Sequence, residues 1–214
     1  MRDATRAAIE FAQRLHAQHD FETDPEKLSH LLGIRIIPGK ENRAAHGPPS
    51  IITRAADAYA PRQRFTMHHE IAHIVIQRSG LEDAVKAEVD PDDADDHLEL
   101  VANYIGALLV MPDPLIVTSL ERHGLTPEAI LDIRDRAQVS FAAAIRRFTT
   151  ANVDEPTTVF ISGDSYVLDL ASTDPYNRIQ RYQRMPDARA EYPNAELLTL
   201  RQYIKPRTIG VLTW

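Results

Sequence analysis

Residues 65–77 constrain this chain more than any other stretch, because they place two histidines four positions apart with a glutamate directly after the first; they read FTMHHEIAHIVIQ. The histidines are His69 and His73, the glutamate is Glu70, and the pattern His-Glu-x-x-His is typical of zinc peptidases. On a helix of about 3.6 residues per turn, both imidazoles lie on one face and can bind one metal ion. Glu70 lies beside them, where its carboxylate can take a proton from a water at the metal.

The residues around this motif predict a buried helix, because apolar side chains surround it almost completely; they are Phe65, Met67, Ile71, Ala72, Ile74, Val75 and Ile76. A buried cluster of two histidines and a glutamate would be costly without a bound ion. This cost favours a metal site over histidines that are only hydrogen-bonded in the core. His68 points about 100° away from His69, so we interpret it as a supporting or structural residue, with metal ligation as the alternative.

The composition limits the classes of protein and of site. A chain of 214 residues that is 43% hydrophobic and 26% charged is long enough to form a core, as one compound domain or two small ones. There are no cysteines, so a metal must be held by histidine and carboxylate. No apolar run approaches about 18 residues, and residues 1–20 read as an amphipathic helix rather than a signal peptide, so we expect a cytoplasmic protein without a membrane partner.

The net charge of −7 is distributed unevenly, with −9 on residues 1–133 and +2 on residues 134–214. The part that contains the metal motif is therefore the acidic part. Such a chain lacks the electrostatic footprint of a dedicated DNA-binding protein, so direct nucleic-acid binding is the lesser alternative to binding a protein.

Patterns before the metal helix predict two helices and a small sheet. Residues 4–18 have helical spacing, and Asp24-Pro25-Glu26 starts a second helix over residues 27–32. Residues 34–37 and 51–53 read as short strands joined by a loop that includes NRAAHGPPS. An edge strand at residues 51–53 could pair with an extended substrate, or the strands could form a purely structural hairpin.

We expect the third metal ligand from a further helix predicted at residues 96–110. Catalytic zinc takes three protein ligands and an open position, and residues 76 and 79 lack the glycine and histidine of the metzincin pattern. Glu99 is the best remaining candidate, with His97 and Asp96 as rivals, because only one of the three can face the metal. The alternative for Glu99 is an ordinary carboxylate in the first turn of a helix.

Three motifs stand together in this chain: His69-Glu70-x-x-His73, the lead-in Arg64-Phe65-Thr66, and Glu99-x-x-Ala102-Asn103 running to LLVMP at residues 108–112. With them the chain resembles the ImmA/IrrE family of bacterial and phage metallopeptidases. The resemblance covers roughly residues 24–148 and includes the Leu-Gly-Ile step at residues 32–34. From residue 151 onward the chain matches no part of the family.

The resemblance implies a zinc ion held by His69, His73 and Glu99, with Glu70 as the catalytic base. It also implies a substrate class, namely helix-turn-helix repressors that are cut at one site to switch on a prophage, a mobile element or a stress regulon. Together with the predicted elements it gives an α+β fold, in which a small sheet packs on helices as a zincin-like minimal peptidase core.

Beyond this core, Thr126-Pro127-Glu128 and Ser140 each start a short helix, and the tight turn between them resembles a helix-turn-helix. DNA reading would rest on Arg146 and Arg147, whereas helical hairpins are more often packing units. Residues 157–161 and 166–170 then predict a β-hairpin.

The remaining residues predict an accessory extension. Residues 176–189 interleave tyrosines with arginines, which suits solvated surface, an acidic protein partner or nucleic acid. Residues 197–204 form another amphipathic segment, and residues 209–214 a terminal strand whose Trp214 packs on the body. We expect three parts: a zinc metallopeptidase core at 1–115, a helical helix-turn-helix-like segment at 116–150, and an α/β C-terminal extension at 151–214.

Two functions from different classes follow. The first is a zinc-dependent endopeptidase that cleaves a helix-turn-helix transcriptional repressor at one site and so derepresses its regulon. The second is a DNA- or partner-binding regulator with a structural or inactive zinc site. The intact Glu70 favours the enzyme, because a structural site does not need it. The residue that stabilises the oxyanion stays open, with Tyr104 and a tyrosine or arginine of residues 151–214 as candidates.

Overall fold

The computed structural model describes residues 2–56, 60–151, 155–201 and 205–213. The chain divides into two compact units, Met1–Pro112 and Asp113–Trp214. Each unit combines helices with a small sheet, which confirms the predicted α+β class. The division into three parts stays a prediction.

The helices of the first unit are α1 (Asp3–Ala17), α2 (Pro25–Leu31), α3 (Ala60–Ser79), α4 (Glu82–Lys86) and α5 (Ala94–Val110), with a 3-10 turn at Pro91–Asp93. The predicted start of α2 is confirmed, because the Asp24 side chain accepts hydrogen bonds from the backbone N–H groups of Glu26 and Lys27. The short helix α4 lies in an acidic stretch between α3 and α5.

The sheet of the first unit contains β1 (Ile34–Pro38), β2 (Arg43–Ala45) and β3 (Ser50–Arg54) in the order β1-β3-β2. Strand β1 pairs with β3 in parallel, and β2 pairs with β3 antiparallel. The expected edge strand at residues 51–53 is therefore wrong, because it lies in the central strand and is paired on both sides. The hairpin alternative is wrong too, because parallel strands cannot be joined by a tight hairpin.

The core of the first unit lies where α3 and α5 pack together with α1, α2 and the sheet. Its fully buried members include Ile71, Ile74 and Ile76 of α3 and Ile105 of α5. Gly106 lets the two helices approach closely, since a Cβ at this position would lie 3.1 Å from the backbone nitrogen of His69. The metal motif is therefore carried by a helix that is enclosed on most sides.

The second unit begins with three helices, α6 (Asp113–His123), α7 (Pro127–Ala137) and α8 (Phe141–Ala151). Helices α7 and α8 are predicted from the sequence and are confirmed, whereas α6 has no counterpart among the predictions. Gln138 closes α7 in the left-handed backbone conformation, and the Ser140 hydroxyl accepts the N–H of Ala143 at the start of α8. Helix α8 then packs on the sheet of this unit.

That sheet is antiparallel and contains β4 (Thr157–Gly163), β5 (Tyr166–Ser172), β6 (Glu196–Leu200) and β7 (Arg207–Thr213) in the order β5-β4-β7-β6, with the short helix α9 (Ala188–Glu191) before β6. The predicted β4–β5 hairpin is confirmed, and its two turn residues Asp164 and Ser165 both have positive φ. Strand β6 accounts for the start of the amphipathic segment, while residues 202–204 and Trp214 lie outside the described residues.

Among the described residues, no single helix is long and apolar enough to cross a membrane. Two successive helical segments, Pro91–Val110 and Asp113–His123, reach that length and composition only when they are taken together.

Candidate metal centre

The structure brings two histidines and one glutamate together between α3 and α5. His69 Nε2 and His73 Nε2 lie 3.1 Å apart, one helical turn from each other on α3. The Glu99 carboxylate of α5 lies 3.2 Å from His69 Nε2 through one oxygen and 3.3 Å from His73 Nε2 through the other. The three ligand atoms all lie within 4.8 Å of one another.

The chemistry of this donor set fits a catalytic zinc ion. Two imidazole nitrogens and one carboxylate leave the fourth tetrahedral position free for water or substrate. Both histidine side chains are only 17% exposed, whereas the Glu99 side chain is 54% exposed, so the cluster opens to solvent on the Glu99 side. The buried Nδ1 of His69 has no hydrogen-bond partner among the described residues.

The two rivals of Glu99 lie outside the cluster. His97 Nε2 is 3.1 Å from the Thr5 hydroxyl, and its position on α5 is about 200° round the helix from Glu99. Asp96 is exposed and does not join the group of possible ligands among the described residues. Of the three candidates named from the sequence, the structure places only Glu99 with the histidines.

Glu70 follows His69 on α3 and is 8% exposed. Burial raises the pKa of its carboxyl, and the nearby charge of Glu99 adds to this, while His69 and a hydrogen bond from the backbone of Ala44 oppose it. A carboxylate with a raised pKa is a stronger proton acceptor than an exposed one, as a general base must be.

The Ala44 contact identifies a strand that the sequence analysis missed. Ala44 is the middle residue of β2, and its register partner on β3 is Ile52. Because the backbone N–H of Ala44 reaches the Glu70 carboxylate, this N–H is directed away from β3. The open edge of β2 therefore faces the metal cluster. Residues 43–45 read Arg-Ala-Ala and have no strand pattern, so only the chain's tertiary pairing reveals this edge.

Comparison with known proteins agrees with this geometry. The profile of peptidase family M78, described as the IrrE N-terminal-like domain, matches residues 32–149, which is more than half of the chain. The chain belongs to this family.

Two curated relatives are radiation response metalloproteases IrrE. The one from Deinococcus radiodurans is 32% identical over 105 residues, which are 47% of this chain and 31% of the relative. The one from Deinococcus deserti is 32% identical over 127 residues, which are 57% of this chain and 45% of the relative. The matched part of the chain thus spans less than half the length of each.

One solved structure, described as a Mycobacterium tuberculosis transcriptional regulator, has a similar fold. Its TM-score is 0.55 at 13% sequence identity, and the alignment covers 95% of this chain and 75% of that chain. At this identity the likeness concerns the fold alone. The likeness in fold extends beyond residues 32–149, since the alignment covers nearly the whole chain.

His68 lies next to the motif but outside the ligand cluster. It is completely buried, its Nδ1 lies 2.8 Å from the Arg64 carbonyl oxygen, and burial lowers its pKa to about 4. Arg64 in turn donates to the Thr23 carbonyl at 2.6 Å. These contacts tie the start of the metal-bearing part of α3 to the loop before α2, which is a structural role.

The arginines proposed for DNA reading are engaged within the second unit. Arg147 is only 6% exposed and forms an ion pair with Asp113. Arg146 binds the Ala142 carbonyl at 3.1 Å and lies 3.5 Å from Asp169. Helix α8 is therefore a packing helix, and readout of DNA through Arg147 would require this pair to break.

The tyrosines and arginines of residues 176–189 are largely exposed. Tyr176 and Tyr182 are 85% and 69% exposed, and the Arg181 guanidinium lies 5.1 Å from the Tyr182 ring centroid. Arg184 pairs through its backbone with Tyr166 on the outer side of β5. Tyr182 has a φ of 68°, which is unfavourable for a large side chain and is not compensated by burial.

Tyr104, which the sequence offers for the oxyanion role, lies on the same helix as Glu99. It is five residues after Glu99, which places it about 140° round α5, and it is 42% exposed. Its part in stabilising the oxyanion stays a prediction.

Proposed function

We propose that this protein is a zinc-dependent endopeptidase that cleaves a cytoplasmic helix-turn-helix transcriptional repressor at one site. The convergence of two imidazole nitrogens and one carboxylate within 4.8 Å, directly beside Glu70, is the observation that carries the proposal. His69, His73 and Glu99 would hold the ion. When bound, zinc supplies a Lewis acid that polarises the scissile carbonyl.

The chain's own residues then perform the proton transfers. Glu70 accepts the proton of the attacking water on its carboxylate and returns it to the amine of the leaving peptide. Its burial supports the first step, since a raised pKa makes the carboxylate a better proton acceptor.

The open edge of β2 supports an extended substrate. A peptide that adds as a fourth strand at Arg43–Ala45 would receive main-chain hydrogen bonds there and run past the Glu70 carboxylate. The proposed substrate edge therefore moves from residues 51–53 to β2. A protein substrate is what a peptidase family implies, and a repressor is what the resemblance to the ImmA/IrrE family suggests.

We further propose that residues 151–214 select the partner while the first unit performs the cut. Arg178 and Arg184 have no acidic partner among the described residues, and Tyr176 and Tyr182 are exposed. Tyrosine and arginine are the residues that anchor protein interfaces, and exposed charges mainly tune encounter rates and salt dependence.

The test is co-expression with a candidate helix-turn-helix repressor from the same genome, comparing wild type with Glu70→Gln by intact mass. Wild type should release two fragments whose masses sum to the repressor plus one water, and Glu70→Gln should leave the repressor intact while still binding zinc. Equal processing by both proteins would exclude Glu70 as the base. If neither cuts while both bind the repressor, the protein is instead a partner-binding regulator.

A further inference from the structure

A hydrogen-bonded cluster holds the first turn of α5 on the side away from Glu99. The Glu88 carboxylate accepts N–H bonds from Ala4 at 2.6 Å and from Thr5 at 3.2 Å, and thus caps the start of α1 from 83 or more residues away. The Thr5 hydroxyl donates to Glu88 at 2.6 Å and lies 3.1 Å from His97 Nε2. The His97 nitrogen is itself 3.6 Å from Glu88.

This cluster is shielded from solvent. Thr5 is 8% exposed, and the side chains of Glu88 and His97 are 13% and 19% exposed. Burial alone would raise the pKa of Glu88, but the hydrogen bonds from Thr5 and Ala4 hold it below its ordinary value. A partly buried carboxylate with this many donors forms strong, geometrically fixed bonds.

A second contact joins α4 to the first turn of α5 at the surface. Lys86 of α4 lies 2.9 Å from Asp95 in the first turn of α5 and 3.6 Å from Glu82. Asp95 is 89% exposed, so this ion pair contributes little. Of these two polar contacts to the first turn of α5, the Thr5–Glu88–His97 cluster is the one shielded from solvent.

We propose that Thr5 and Glu88 are positioning residues for the metal centre, because by holding His97 they fix the rotation of α5 and keep Glu99 directed at His69 and His73. The inference rests on the proposed metal site. A side-chain tip lies about 6 Å from a helix axis, so a rotation of about 20° would move the Glu99 carboxylate by about 2 Å. Zinc ligands tolerate displacements of only about 0.2 Å, so even a small rotation matters.

The position of α1 adds to this. Helix α1 precedes the matched family region, which begins at residue 32, yet Ala8, Ile9 and Ala12 are buried in the same core as α3 and α5. A segment outside the matched region thus contributes to the orientation of a metal ligand.

The experiment uses the full chain with Thr5→Val, which keeps the size of the side chain but removes the hydroxyl, and Thr5→Ser, which keeps the hydroxyl. Glu82→Ala serves as a control, because Glu82 pairs with Lys86 and forms no hydrogen bond or ion pair with α1 or His97 among the described residues. Zinc affinity is measured by competition with a chromogenic chelator, the ligand geometry by the absorption spectrum of the cobalt-loaded protein, and stability by the Tm of the metal-free protein.

Thr5→Val should bind zinc about 10-fold more weakly or worse and change the cobalt spectrum, as expected when a group supporting a ligand is lost. Thr5→Ser and Glu82→Ala should bind like wild type. If Thr5→Val does not fold, Glu88→Gln, which retains an acceptor oxygen, should give a smaller loss in the same direction.

A folded Thr5→Val protein with a lower Tm but with wild-type zinc affinity and cobalt spectrum would overturn the inference, since the cluster would then only cap α1. An unchanged zinc affinity in Glu88→Gln would overturn it equally when Thr5→Val cannot be measured. A failure of the proposed function would give a different result. Wild type would then bind no zinc, or His73→Ala would still bind zinc, and the inference about Thr5 and Glu88 would be wrong as well.

Discussion

Acidification should destabilise the first unit through His68, a residue that takes no part in the proposed chemistry. Its burial lowers its pKa from 6.5 to about 4 in the folded protein, while the unfolded chain keeps the ordinary value. Between these two pH values the unfolded state binds a proton that the folded state does not, so stability falls as the pH falls from about 6.5 to about 4. A difference of about 2.5 pKa units corresponds to about 3 kcal/mol, a large fraction of a typical domain stability of about 5–15 kcal/mol.

The measurement is urea unfolding of the metal-free protein at several pH values from 7 to 4, followed by far-UV circular dichroism, for wild type and His68→Gln. Both proteins retain His69 and His73, so the titration of the proposed ligands cancels in the comparison. Wild type should lose about 3 kcal/mol more than His68→Gln over this range. His46→Gln, which removes an exposed histidine, should behave like wild type. Parallel pH dependences for wild type and His68→Gln would refute the reasoning.

Three further predictions concern the metal, the second sheet and the partner. Glu99→Ala should weaken zinc binding about 100-fold or more, measured by chelator competition. His97→Ala should weaken it by only about 10-fold, because this variant loses the positioning of α5 but no ligand. The reverse ranking would show that His97 is the third ligand. Gly210→Ala should destabilise the second unit by about 1–3 kcal/mol in urea unfolding, because the new Cβ would lie 2.2 Å from the buried Phe160 ring. Unchanged stability would mean that the ring moves freely. Replacing the three arginines of residues 178–184 by alanine should slow repressor cleavage and reduce its salt dependence without loss of zinc. If this variant cleaves at the wild-type rate at both low and moderate salt, the segment serves only for packing.

The parts of the fold that could be predicted are those whose information is local. Helices α3 and α5 can be predicted from apolar side chains that recur at helical spacing. Helices α2, α7 and α8 can be predicted from a capping residue or an early proline. Helix α6 carries the same local signals, since it begins with Asp113 followed by a proline and ends with basic residues.

The parts that could not be predicted depend on pairing over long distances. Strand β2 consists of Arg-Ala-Ala, which has no β-branched or aromatic residue, and it is a strand only because β3 supplies its hydrogen bonds. The parallel pairing of β1 with β3 is equally invisible locally, since strands close in sequence more often form antiparallel hairpins. The contact of Glu88 with Thr5 joins residues 83 positions apart and has no counterpart in any motif.

The same distinction explains how the candidate site is built. His69 and His73 lie four residues apart on one helix, so the formation of α3 is enough to bring their two nitrogens together. The position of Glu99 is not fixed in this way, because Glu99 lies on another helix and its side chain is about half exposed. Its place depends on the close approach of α5 at Gly106 and on the rotation of α5 set near His97. Metal affinity should therefore be most sensitive to substitutions that alter the position or rotation of α5, even where the substituted residue contacts no ligand.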